Sequence, residues 1–330
     1  MKRALLAIPL AVALAAINGA LGVAPGRSVR ASAVVGGVSI ARVMWNPANG
    51  TPSLAVGGHV LWATAGSCCK SNLWRGDTRQ TSVRRVPRIP NLLTFVPDVD
   101  GEWATTIEPA RSSNRIVWLS AKGKILESWN LPPACKTEEP DSAVYAHKLW
   151  LHCHASIFVV RRGTKTLQRL PLNAAADVVG SSRGVWVSTG TMTNTTLRRI
   201  SSNGAVKDVK IDGLLEAATI SKGRVWLVVD GEHGRRLVEV DATSGRTLSH
   251  EIKGGPDDLV QVVIAKDELF GLDRAEAVWR YDLSGHLIGP IKLPRAGLGG
   301  GSVRLVAGDA SVWAAWSVGK ENGIFRISLT

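Results

Sequence analysis

The sequence predicts an all-β fold: a seven-bladed β-propeller of four-stranded antiparallel blades, its last blade closed by an N-terminal strand. Three observations carry this. An apolar pair ending in Trp or Phe recurs at Trp62, Trp103, Trp150, Trp186, Trp226, Phe270 and Trp313, with successive spacings of 41, 47, 36, 40, 44 and 43 residues. A second β-rich segment follows each anchor, and turn residues such as Gly123, Gly163, Asn203–Gly204, Ser244–Gly245 and Ser284–Gly285 come after it. No long stretch beyond the first residues has the 3.6-residue apolar period of a helix. A repeated four-stranded sheet buries both faces only against its neighbours, so seven such units close into a ring.

The chain starts with basic Met1–Arg3, an apolar run over Ala4–Ile17 and small residues at Ala20-Leu21-Gly22. These are the three parts of a secretory signal peptide, assigned to residues 1–22. The apolar run is shorter than the roughly 20 residues that span a bilayer, so no stable membrane span is expected. Cleavage near Gly22 would lower the formal net charge from +13 to +11. Residues 23–37 read as a flexible lead-in, and 38–330 as one propeller domain.

The segment Val38–Trp45 (VSIARVMW) alternates as a strand and precedes the first inner strand, Ser53–Val56. After Ile324–Leu329 the chain has no further strand for the seventh blade. The N-terminal strand therefore completes that blade and protects two edges. The clearest repeat is Gly223–Ile252: Arg224–Val229 and Arg236–Asp241 are rich in β-branched residues, and Arg246–Ile252 follows the Ser244–Gly245 turn. The other second strands are LWRGD (73–77), IVWLS (116–120), IFVVRR (157–162), LRRIS (197–201), VWRYD (278–282) and IFRIS (324–328). Twelve Trp against four Phe and two Tyr fit the geometry: blades splay apart away from the axis, and a large aromatic fills the gap.

The repeated V-W…L-x-[RE]-[IVY]-[DS]…G pattern resembles the virginiamycin B lyase-like and YVTN-type propellers and the wider quinoprotein-like group, over essentially all of residues 38–330. The resemblance implies a propeller acting as enzyme, sensor or scaffold. The lyase-like group implies metal-assisted elimination with His and Glu near the central channel; Glu232–His233 are adjacent in a hairpin loop here. Val240–Leu248 (VDATSGRTL) resembles the outer-hairpin signature of quinoprotein propellers.

Polar residues gather where the chain enters each inner strand and where it leaves each anchor strand, both on one face, the upper one. Asp141, Asp177, Glu216 and Asp258, with Arg304 as opposing cation, are the candidate ligand-binding residues at the channel mouth. Such carboxylates suit a divalent cation such as Ca²⁺, or a cationic or polyhydroxylated ligand; they equally suit capping of their own turns. His152 and His154 flank Cys153, and alternation places both His on one face; a metal there needs a further ligand, His233 or Asp141. Four Cys in an exported chain should be paired. Cys135 with Cys153 is the expected disulfide, leaving Cys68 and Cys69 vicinally bonded or reduced; the competing pattern joins each of those to one of the other two.

A net charge of +13 and a pI near 10 favour an anionic partner from the cell envelope. Lys and Arg are spread over many blades with no run of five, which disfavours nucleic acid. The chain is thus read as a secreted or periplasmic monomer, a binding or scaffold module acting through its upper face. The alternative is a metal-assisted lyase or quinoprotein-like enzyme with its site at the channel mouth.

Overall fold

The anchor pattern corresponds to one strand position in seven sheets. In the computed structural model the described residues are 32–35, 38–43 and 53–329, apart from residues 58, 66–71, 81, 87–91, 99, 109–112, 136–140, 154–155, 172–177, 182–183, 191–193, 202–204, 294–301, 309 and 319–320. Blade 1 is β3 (Ser53–Gly57), β4 (Val60–Ala65), β5 (Asn72–Asp77) and β6 (Val83–Val86); blade 2 is β7 (Leu92–Asp98), β8 (Gly101–Glu108), β9 (Ser113–Ser120) and β10 (Ile125–Asn130). Blade 3 is β11 (Asp141–Tyr145), β12 (Lys148–Cys153), β13 (Ser156–Arg161) and β14 (Leu167–Pro171); blade 4 is β15 (Val178–Ser181), β16 (Gly184–Gly190), β17 (Asn194–Ile200) and β18 (Val206–Asp212). Blade 5 is β19 (Leu214–Ser221), β20 (Arg224–Gly231), β21 (Gly234–Asp241) and β22 (Thr247–Glu251); blade 6 is β23 (Leu259–Ala265), β24 (Glu268–Asp273), β25 (Val278–Asp282) and β26 (Leu287–Ile291). Each blade is an antiparallel meander, and each inner strand packs on the next around the ring, from β27 (Ser302–Ala307) back to β3.

The seventh blade contains β27, β28 (Ser311–Val318) and β29 (Glu321–Leu329), then β2 (Val38–Arg42) and β1 (Ser32–Val35), in the order β1-β2-β29-β28-β27. β2 pairs antiparallel with β29, Val38 opposite Leu329 and Arg42 opposite Phe325. The N-terminal strand therefore closes the ring as the sequence predicts. Ser32–Val35, within the stretch expected to be flexible, adds a fifth strand to β2, Val35 opposite Val38. A four-residue strand has too little pattern of its own to show this; pairing with β2 supplies its backbone hydrogen bonds. Residues 44–45 of the predicted closing strand lie outside the described residues.

The core falls into seven apolar clusters, each belonging to one seam between adjacent blades. Each anchor faces the following blade: Trp226 meets Leu259, Val262 and Ile264 of blade 6, and Trp313 meets Leu54, Leu61 and Trp74 of blade 1. Trp62, Trp103, Trp186, Phe270 and Trp313 are at most 2% exposed. The Arg or Glu of the repeat motif is the anchor's register partner on the next strand: Arg75 opposite Trp62, Arg199 opposite Trp186, Glu239 opposite Trp226, Arg280 opposite Phe270 and Arg326 opposite Trp313. The guanidinium covers the ring in two of these pairs, at 5.8 Å for Arg75 over Trp62 and 5.6 Å for Arg326 over Trp313. The Asp that ends the motif caps the outer hairpin. Asp241 Oδ1 accepts hydrogen bonds from the Thr243 and Ser244 amides, and Asp282 Oδ1 does the same for Ser284 and His286. Asp77 of the Arg75-Gly76-Asp77 tripeptide makes the equivalent turn with the Arg79 amide.

Cys135, in a short 3-10 turn (Pro133–Cys135), is joined to Cys153 at the end of β12, with a Cα–Cα distance of 5.1 Å. Both are buried in the seam between blades 2 and 3. Cys68 and Cys69 lie outside the described residues. A loop of this size, 18 residues apart in sequence, stabilises by about 3 kcal/mol in the chain-entropy account. The Cys135→Ser/Cys153→Ser double variant should lose about that much by urea unfolding; an unchanged midpoint would show that the bond contributes nothing.

Candidate functional site

The inner strands enclose an axial cavity of about 540 Å³, with walls from blades 1, 2, 3, 5, 6 and 7. Its exposed surface is more polar than apolar, because Val56, Phe95, Val263 and Leu305, though they line it, pack into the seams between blades. Hydroxyls come from Ser53, Ser142 and Thr219. Arg304 is the one charged side chain among the described residues of this wall.

Two of the three inner-strand bulges set the upper rim. Register shifts fall at Leu92/Thr94, Leu215/Ala217 and Leu259/Gln261, each near the upstream end of its strand. A bulge re-aims the extra side chain and those beside it. Gln261 is thereby turned toward blade 7, where its amide donates to Leu305 O (2.8 Å) and accepts from Leu305 N (2.9 Å), fastening β23 to β27. The other bulge carries Glu216, which reaches the Leu259 amide of blade 6. Burial raises the Glu216 carboxyl above its usual range. Arg235 opposes this, while Asp230 and Asp258 add to it and the Leu259 N–H stabilises the charged form. Its Oε2 is buried with no hydrogen-bond partner, as are Arg235 Nε and Nη1. Asp258 pairs with exposed Arg274 at 3.2 Å.

Of the predicted ligand set, the described side chains are those of Glu216, Asp258 and Arg304. Glu216 and Asp258 come together at the seam of blades 5 and 6, joined by Asp230 and Arg235, which the sequence did not single out. Arg304 lines the channel wall. Asp141 begins β11 opposite His152, its register partner; its side chain lies outside the described residues, as do Asp177 and His154. His152 is buried, on the face of β12 that carries Trp150, with Cys153 on the other.

Glu232 and His233 are exposed in the loop between β20 and β21. They line an upper-face pocket of about 470 Å³ with Asp212, Asp230 and Arg236. No three His, Cys, Asp or Glu side chains among the described residues converge to hold a metal ion, and a guanidinium sits in this pocket. The described residues thus do not fit the lyase-type metal site. The quinoprotein-like segment Val240–Leu248 folds as the Asp241-capped hairpin between β21 and β22, on the lower outer side, away from the channel.

At its lower end the channel adjoins two further cavities, of about 680 and 490 Å³; Ile220 lines all three. The larger carries Asp98, Tyr145, His147, Ser221 and Lys222, none of them picked out by the sequence. One signal was present: the loop between Tyr145 and Lys148 is two residues long with no Gly, so a polar side chain had to stand at its tip.

No family model matches the chain, and no curated protein matches it in sequence. Solved structures do resemble it. A prolyl endopeptidase aligns over 85% of this chain with 11% identity and a TM-score of 0.60, and this chain spans half the length of that one. The Neurospora crassa Pan2 WD40 domain aligns over 86% of this chain and 89% of its own, with 10% identity and a TM-score of 0.54. The computationally designed protein Ika8 aligns over 86% and 98%, with 11% identity and a TM-score of 0.56. At these identities the likeness is one of fold.

Proposed function

We propose that this chain is an exported β-propeller that binds a small ligand at its channel, through the upper mouth, as a binding or scaffold module. The observation that carries this is the axial cavity: its volume of about 540 Å³ lies within the range of small-molecule sites, and its largely polar wall bears hydroxyls and one cation. Such a site suits a small acid, its carboxylate or phosphate at Arg304 and its body against the hydroxyls and aliphatic side chains of the wall. The overall charge of +13 supports an anionic partner. The signal-like N-terminus and the Cys135–Cys153 bond support an oxidising, extracytoplasmic location. No described helix is long and apolar enough to cross a membrane.

A second reading rests on Glu216, whose Oε2 has no hydrogen-bond partner and sits near Asp230 and Asp258: a basic ligand at the upper rim, or a divalent cation that draws its further donors from Asp141 and Asp177, whose side chains lie outside the described residues. Thermal unfolding separates the two. Hexanoate, benzoate or phenyl phosphate should raise the melting temperature of the wild type and not of Arg304→Gln. Stabilisation by Ca²⁺ that disappears in the Asp177→Ala/Glu216→Ala double variant would favour the rim reading instead. If no acid stabilises the chain, or Arg304→Gln responds as the wild type does, the channel reading is wrong.

A further inference from the structure

The lower cavity of about 680 Å³ forms where the turns after the inner strands of blades 2, 3 and 5 approach one another. We propose that this lower mouth is a second ligand site, separate from the upper one, and that it takes a small oxyanion, a carboxylate or phosphate group, held by His147 and Lys222.

The first support is an oriented imidazole. His147 Nδ1 lies 3.2 Å from Asp98 Oδ1, across the seam between blades 2 and 3. The Asp98 side chain is 5% exposed and that of His147 60% exposed. The buried carboxylate occupies Nδ1, so Nε2 is the atom the ring offers to the cavity; as an imidazolium it donates there. Fixing a ring in this way removes rotamer freedom before a ligand arrives.

The second support is the charge that faces solvent. Lys222 and His147 are exposed on the cavity wall, and Tyr145 and Ser221 add hydroxyl donors. Lys266 stands in the adjoining cavity, donating to Leu329 O at 2.7 Å. The carboxylates are placed differently. Asp98, also on the cavity wall, is buried and faces His147 Nδ1. Asp267 is paired with Lys222 at 2.6 Å in an exposed bridge, a weak contact that a ligand oxyanion can displace. Gly180 keeps the blade 4 side open and close: a Cβ there would meet Val144 O at 2.5 Å.

The third support is strain. Of the six described non-glycine residues with positive φ, Ala146 (51°), His147 (55°) and Lys222 (48°) line this cavity, and Lys266 (47°) and Asp267 (64°) line the adjoining one. The left-handed region is disfavoured for any residue with a Cβ, and such strain concentrates where a side chain is held for binding. Glycine would form these turns more easily, yet the turns present an imidazole and ammonium groups.

Imidazole-detected NMR on the full chain at pH 6 tests the proposal, with acetate and inorganic phosphate titrated separately. One imidazole signal, missing from His147→Gln, should shift saturably, and the Kd should rise at least about tenfold in Lys222→Ala. Arg304→Gln should leave this Kd unchanged, so the result is independent of the upper site. Ala146→Gly should raise the melting temperature and preserve binding, because it relaxes the turn without removing a contact. The proposal is overturned if neither anion moves the His147 signal at millimolar concentration. It is equally overturned if His147→Gln binds the anions as tightly as the wild type.

Discussion

Removing Val38–Arg42 should unfold the ring or lower its stability by at least about 5 kcal/mol. The strand places Val38 (3% exposed) and Ile40 (4%) in the blade 6–7 cluster with Phe325, Ile327 and Leu329. Losing two buried aliphatic side chains costs roughly 1.5–3 kcal/mol each, before the ladder to β29 is counted. The deletion also bares the edge of β29 (Glu321–Leu329), a nine-residue strand with apolar Ile324, Phe325 and Ile327, which invites pairing between molecules. Ile40→Asp tests the same contact without shortening the chain, since it buries a carboxylate in that cluster. Urea unfolding and light scattering read both effects. A midpoint unchanged in both variants would show that the N-terminal strand does not hold the ring closed.

The closing strand was legible because its alternation and the missing fourth strand of the last blade are both local in sequence. The anchors were legible for a related reason: a Trp at one strand position repeats the same packing problem seven times. What stayed hidden depends on contacts between blades. Nothing near Glu216 announces that a bulge turns it toward Leu259, and alternation alone assigns its direction wrongly. Arg235 joins Glu216 only because β21 folds back beside β20. His147 and Asp98 are 49 residues apart and meet because successive blades place their lower turns side by side. Strand position fixes the face of the ring, whereas radial position depends on bulges and seams.

Replacing Glu102 by Met should stabilise the protein by about 1–3 kcal/mol at neutral pH, the usual cost of a buried polar group without a partner. Glu102 is fully buried on β8, and neither carboxylate oxygen has a hydrogen-bond partner. Alternation from Trp103 turns it toward blade 1, on the face of Ala104, which packs with Trp62, Leu73 and Phe95. Burial pushes its carboxyl well above the normal range, because no nearby cation or donor compensates the ionised form. The folded chain therefore keeps a proton that the unfolded chain releases above its pKa of about 4.3. Stability linked to this group is complete below that value and is lost as pH rises toward the raised folded pKa. The slope can reach about 1.4 kcal/mol per pH unit. Glu102→Gln keeps the shape and removes the ionisation, so it should flatten this part of the profile while leaving a polar group buried. Urea unfolding of wild type, Glu102→Gln and Glu102→Met between pH 5 and pH 8 separates the two effects. The wild type should lose ground to both variants as pH rises, and Met should exceed Gln throughout. Parallel profiles for all three would mean that the carboxyl finds a partner or solvent in the folded protein, and that the seam of blades 1 and 2 carries no buried acid.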